Sequence, residues 1–296
     1  MNDYLTQIKK YENEIENFPI DKFHYKWQGL QALNYHLRRR KHSNLIDSNP
    51  MSFIKYARKY MDQHYVFKQI FYLYTIETVR IEYIYDIDDT IVFNMVKKTN
   101  LNILLEEGKT KTKNECDQII KIINSQLKSI LNYHYVPELQ AKIRILVPSG
   151  RFKLAPNSPS RQDGKLFQFC PPSKVEEQLK LLYSLYEQYE YENIDPIVLA
   201  AWFHAEFIRI HPFVDGNGRL GRFLSSKILM KYDLFPLIVE KQNRAEYIEC
   251  MNESIAQNNL TSLINFIKRE QNLLIEHVRK QTTYSKQKYP VYPIDN

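Results

Sequence analysis

Glycine is scarce in this chain, with seven residues at positions 29, 108, 150, 164, 216, 218 and 221. Three of the seven fall within six residues, which singles out 216–221 as backbone that needs unusual conformations or close approach to a ligand. Cysteine is scarcer still. Cys116, Cys170 and Cys250 are odd in number, far apart and without paired metal-ligand spacing, which argues against a disulfide framework and a zinc site and fits a reducing cytosol. No apolar run reaches membrane-spanning length, since the longest candidate, Ile197 to Ile210, is interrupted by His204, Glu206 and Arg209. The first thirty residues carry charge throughout and contain no apolar h-region, so no signal peptide is expected. Internal repeats, low-complexity tracts and long Pro/Gly/Ser linkers are also missing, so one continuous helical body is expected in a soluble, cytoplasmic protein.

What is present is enough apolar material, 44% of 296 residues, to fill a core. The formal charge of +7 attracts polyanions, yet the one basic cluster, Arg38 to Lys41, reads as a solvated helix face, and no specific nucleic-acid partner is expected. Helical periodicity recurs along most of the chain. It runs from Ser52 to about Tyr83, after a capping box at Thr112 and Glu115, and from Val175 through Tyr186. Asp195 as N-cap and Pro196 at the first helical position open a helix that is apolar nearly all round and therefore central. Further helices are expected from Leu220, near Ala245 to Gln257 and from Ser262 to Arg279, with a frayed tail from Gln281. One region alternates instead. Ile143, Ile145 and Val147, a Pro148-Ser149-Gly150 turn, then Phe152 and Leu154 predict a β-hairpin, and Lys165 to Phe169 predicts a second extended run. The fold class expected is all-α with a small β-hairpin.

The chemistry gathers at His211-Pro212-Phe213-Val214-Asp215-Gly216-Asn217-Gly218-Arg219-Leu220-Gly221-Arg222. Its glycines lie between a buried helix and an amphipathic one, at a helix N-terminus, where first-turn amides lack internal acceptors and the dipole favours an anion. Arg219 and Arg222 share a helix face and offer two guanidinium forks for phosphate oxygens. Asp215 is a hard ligand suited to magnesium, which takes one or two carboxylates and fills the rest of its shell from phosphates and water. His211 is a side chain that can take a proton near neutrality. Taken singly, each residue has an ordinary use as a turn, cap or surface ion pair. Together they describe a phosphoryl or nucleotidyl transfer site, and neither a Walker loop nor a dinucleotide fingerprint matches.

This segment resembles the signature of the Fic (Fido) family, H-P-F-x-[DE]-G-N-G-R-x-x-R, at every fixed position. The resemblance runs over roughly residues 115 to 270, upstream through Pro196 to Ile210 and downstream through Lys241-Gln242-Asn243-Arg244 and Tyr247. It implies a mainly helical Fic fold divided into an N-terminal helical region (1–110), a Fic domain (111–272) and a C-terminal helix end and tail (273–296). The activity implied is transfer of AMP from ATP to a Ser, Thr or Tyr hydroxyl of a target protein or of the chain itself, with removal of AMP by the same site as a further activity. Under it His211 is the general base and Asp215 holds Mg2+. Gly216, Asn217 and Gly218 seat the α/β phosphates, Arg219 and Arg222 bind the β and γ phosphates, and Tyr247 contacts adenine. Phe213 anchors the loop. A flap that holds the target by strand addition is placed at Lys165, Leu166 and Phe167. Thr78-Val79-Arg80-Ile81-Glu82-Tyr83 resembles the family's inhibitory pattern, [ST]-x-x-x-E-[GN], in all but its last position, which puts an inhibitory Glu82 on a helix over 70–83. Glu77, outside the pattern, is expected to matter little. Transfer of phosphate, UMP or phosphocholine, and a non-enzymatic basic helical module, are the alternatives. A homodimer is compatible with the sequence.

Overall fold

The structure, a computed structural model, describes residues 23–25, 27–38, 63–82, 87–98, 102–103, 106, 116–117, 120–121, 151–154, 156 and 166–288. The start of the helix expected from Ser52, the Thr112–Glu115 capping box, residues 143–150 and Lys165 fall outside these. The described residues are mainly helical. In chain order they form β1 (Phe23–Tyr25), α1 (Tyr35–Arg38), α2 (Gln63–Arg80), α3 (Asp89–Lys98), β2 (Leu166–Phe167), α4 (Val175–Tyr191), α5 (Pro196–Ile210), α6 (Asn217–Lys231), α7 (Arg244–Gln257) and α8 (Thr261–Lys288). Two compact units are assembled from interleaved stretches, one from 1–41, 137–225 and 249–263, the other from 42–136, 226–248 and 264–296.

In the first unit α5 is the core element. Asp195 accepts from the amides of Ile197 and Val198 at 2.9 and 3.3 Å, Pro196 occupies the first turn, and every residue of α5 except Ile208 is buried. Tyr189 of α4 meets Trp202 of α5 edge to face, 4.9 Å between centroids. Residues 27–34 form a strap over these helices. The amides of Leu30 and Gln31 donate to Gln178 and Glu206, that of Leu33 donates to the Tyr189 hydroxyl, and the Gln31 carbonyl accepts from the Trp202 indole. Glu206 pairs with Arg209 at 3.0 Å inside α5, and Arg209 also donates to the Ser254 carbonyl at 3.2 Å. Burial raises the Glu206 carboxyl to about 7, against the pull of the Arg209 guanidinium. The polar residues that interrupt α5 in sequence therefore have internal partners.

In the second unit, Ile76 of α2 packs with Ile87, Val92, Met95, Ile103 and Cys116. Helix α2 closes at Arg80, and Ile81 and Glu82 form the turn after it, so Glu82 follows the helix instead of lying on it as expected. Arg244 Nε donates to the Ile81 carbonyl at 2.6 Å and serves that helix end as a cap. Glu77 departs further from expectation, because it is buried, ion-paired with Arg80, and accepts from the Lys241 amide at 2.8 Å. It is a structural residue. At the other end of the chain α8 continues to Lys288 instead of fraying from Gln281. No Gly or Pro occurs between Thr261 and Lys288 to interrupt it.

Of the hairpin expected over 143–154, only its last residues are among the described ones. Arg151 to Leu154 carries no strand structure, because the Lys153 amide donates to the Pro212 carbonyl at 2.8 Å and draws this stretch to the glycine-rich loop. Leu166–Phe167 is extended as expected, but its partner is distant in sequence. β1 pairs with it in parallel, Phe23 opposite Leu166 and Tyr25 opposite Phe167.

Candidate active site

Helix α5 ends one residue before the glycine-rich loop, and the carbonyls of its last turn are all engaged. The His211 amide donates to Phe207 O at 2.9 Å, His211 Nδ1 lies 3.3 Å from Ile208 O, the Cys170 amide donates to Arg209 O at 3.2 Å, and Lys153 Nζ donates to Ile210 O at 3.3 Å. His211 takes the left-handed conformation at the C-cap, φ 49° and ψ 59°, and turns the chain out of the helix. Its ring stacks on Phe169 with centroids 4.0 Å apart and planes 12° from parallel. With Nδ1–H donated to Ile208 O, the lone pair of the neutral ring resides on Nε2, the tautomer a general base needs. Burial pushes the ring down to about 3, the Lys153 charge adds to the effect, and the Ile208 carbonyl and Asp215 oppose it.

The loop is closed by Asn217. Its Oδ1 accepts from the Phe213 amide at 2.9 Å and its Nδ2 donates to the Phe213 carbonyl at 2.7 Å, so the buried side chain shapes the turn. Phe213 is half-buried against Phe152, 5.9 Å between centroids, and anchors the loop as expected. Gly216 has φ +81°, a conformation open to glycine. Its carbonyl accepts the Leu220 amide, and the amides of Asn217, Gly218 and Arg219 lie in the first turn of α6, where helix amides lack internal acceptors. Asp215 is exposed at the lip of the loop and pairs with Arg219 at 3.2 Å. Arg222 is buried one residue beyond Gly221.

Gly221 brings α6 onto α5. A β-carbon there would lie 3.1 Å from both His204 Nε2 and Ile208 Cδ1. Val carries two more carbons into that space, so Gly221→Val should overpack the contact by about 1–3 kcal/mol and lower Tm by about 3 °C or more in a thermal melt. An unchanged Tm would show that the helices separate freely.

For magnesium, the test is the donor set. Among the described residues no three His, Cys, Asp or Glu side chains gather into a cage, and the loop offers the single carboxylate of Asp215. That fits an ion that takes one or two carboxylates and completes its shell with phosphates and water. Tyr247 is buried and packs on Phe266 in the second unit, where its placement is that of a core residue. Leu166 and Phe167 are engaged by β1, and Glu82 is half-buried. Sequence reasoning missed Lys153 and Phe169, which frame His211 from outside the motif. Neither carries a sequence signal, since each reads as one residue of an alternating run.

A sequence model of the Fic/DOC family matches residues 116–229. A protein adenylyltransferase Fic from Nematostella vectensis is 31% identical over 123 residues, 42% of this chain and 27% of the relative. A Fido domain-containing protein from Dictyostelium discoideum is 38% identical over 85 residues, 28% of this chain and 59% of the relative. The matched part thus spans less than two thirds of either. The fold is similar to a Fic domain containing signaling protein from Bacteroides thetaiotaomicron, with TM-score 0.57 and 18% identity over 82% of this chain and 99% of the other. No helix among the described residues is long and apolar enough to cross a membrane. Residues 116–229, which hold the loop from His211 to Arg222 between α5 and α6, are thus similar to the Fic/DOC family in sequence, and the chain is similar to a Fic domain containing protein in fold.

Proposed function

We propose that the chain transfers AMP from ATP to a hydroxyl of a target protein, itself included. The observation that carries this reading is the placement of His211, a neutral imidazole with its lone pair on Nε2, four residues before Asp215 and beside the helix N-terminus built by Gly216 to Arg219. In the step proposed, a Ser, Thr or Tyr oxygen attacks the α-phosphorus, its proton passes to His211 Nε2, the bond from the α-phosphorus to the bridging oxygen breaks, and pyrophosphate leaves. The first-turn amides of α6 would receive phosphate oxygens, with Arg219 and Arg222 neutralising charge. Asp215 would hold Mg2+, which screens phosphate charge when bound, and Arg219 would then exchange Asp215 for phosphate. The edge at Leu166–Phe167 would receive the target as an added strand, in place of β1 or beside it. Glu82 would restrain the activity, on the strength of the Thr78–Glu82 pattern.

The deciding experiment is incubation with Mg2+ and ATP labelled at the α or the γ phosphate. Covalent α-label and no γ-label on protein is expected. γ-Label would point to phosphate transfer with the nucleotide reversed. No incorporation, with steeply salt-dependent polyanion binding that ignores His211, would indicate a basic binding module.

A further inference from the structure

Lys153 brackets His211. Its main-chain amide donates to the Pro212 carbonyl at 2.8 Å and its ammonium to the Ile210 carbonyl at 3.3 Å, so the two peptide oxygens on either side of His211 are held by one residue. Ile210 ends α5, where unsatisfied carbonyls and the helix dipole favour a cation. Both side chains also share Phe169, with the His211 ring stacked at 4.0 Å and Lys153 Nζ 6.0 Å from the centroid. Lys153 is 2% exposed. Burying an ammonium is costly, and an apolar side chain would fill the space without that cost. The backbone of His211 sits in the left-handed region, which a residue with a β-carbon adopts only when its surroundings hold it there.

We propose that Lys153 is a positioning residue for His211, holding the carbonyls of Ile210 and Pro212 so that the left-handed turn and the stack on Phe169 keep Nε2 aimed at the acceptor hydroxyl. This rests on the reading of His211 as general base, but the placement of the ring can be observed without any transfer. The electrostatics are consistent. The charges facing His211 are Lys153, which disfavours the imidazolium, and Asp215, which favours it. Lys153 is itself lowered to about 8 by burial, opposed by the neighbouring Cys170, whose thiol burial raises to about 12 against the charges of Lys153 and Lys174.

The test uses the full chain. Lys153→Met removes the ammonium and keeps the main-chain bond to Pro212, while Lys153→Arg keeps a cation. Two readings are taken, the ring-proton shifts of His211 in 1H–13C spectra, assigned by their loss in His211→Ala, and kcat and KM for ATP with α-labelled nucleotide. The parent should show His211 protons moved upfield by the Phe169 ring. Lys153→Met should lose that displacement and about 10- to 100-fold in kcat, with KM for ATP within about threefold, and Lys153→Arg should recover both. Retention of the His211 shifts in Lys153→Met would overturn the proposal, whatever happens to kcat or Tm. If Lys153→Met does not fold, Lys153→Gln is judged by the same two readings. Should the parent transfer no α-label, the proposed activity fails, while the ring shifts still decide what Lys153 does.

Discussion

His211→Ala is expected to keep the fold and nucleotide binding while lowering AMP transfer by about 100-fold or more, the contribution of a positioned general base. The phosphate-side groups on α6 are untouched by the change, and Asn217 closes the loop through the main chain of Phe213 without help from the imidazole. The pH dependence adds a second signature. An ordinary histidine gains its proton near pH 6.5 and would switch off as a base below that. His211, held near 3 by burial and by Lys153, keeps its lone pair through the whole of that range. Its protonation should therefore not limit kcat/KM until well below pH 5, and its ring carbons should not titrate between pH 8 and 5 in 13C spectra. Transfer by folded, nucleotide-binding His211→Ala at the parent rate would remove His211 from the mechanism. A titration near 6.5 would show that the ring is open to solvent and free of the Phe169 stack.

The parts of this molecule that could be read from the chain are those set by local rules. Asp195-Pro196 opening a helix, the all-round apolar surface of α5 and the glycine-dense loop each follow from a few consecutive residues, and all three stand where expected. What could not be read depends on residues far apart. The 27–34 strap is held by side chains on α4 and α5, more than a hundred residues later, so no periodicity marks it. β1 and β2 are separated by about as much, and nothing in the local pattern of either announces their parallel pairing. Glu77 resembles any helix-surface glutamate until the Lys241 amide meets its carboxylate. Lys153 reads as the outward residue between Phe152 and Leu154, and only the turn at Pro212 gives it an inward use. Even inside the motif, spacing singles out Asn217 but does not announce the contacts its side chain makes with the Phe213 main chain, because an amide can grip phosphate or backbone equally well.

Glu82→Gly should raise self-modification markedly over a weakly active parent. Resemblance assigns Glu82 as the carboxylate that competes with the γ-phosphate for Arg222, and a guanidinium cannot pair fully with both. A bias of about 1.4 kcal/mol towards the carboxylate already reduces the competent population tenfold. The local structure allows the substitution, because Glu82 lies in the turn after α2 and the helix end at Ile81 is capped by Arg244 through a main-chain carbonyl that the variant retains. Glycine in a turn is well tolerated, so the melting curve should change little. Glu82→Asp has a shorter reach and should raise incorporation less than Glu82→Gly. Glu77→Gly is a different case. It leaves the buried Arg80 without one of its carboxylates and the Lys241 amide without its acceptor, so its expected effect is a lowered Tm. Incorporation of α-labelled AMP would be measured for Glu82→Gly, Glu82→Asp and the parent, with a melt for each. Equal incorporation by Glu82→Gly and the parent, with both folded, would show that Glu82 is a turn residue with no hold on the nucleotide.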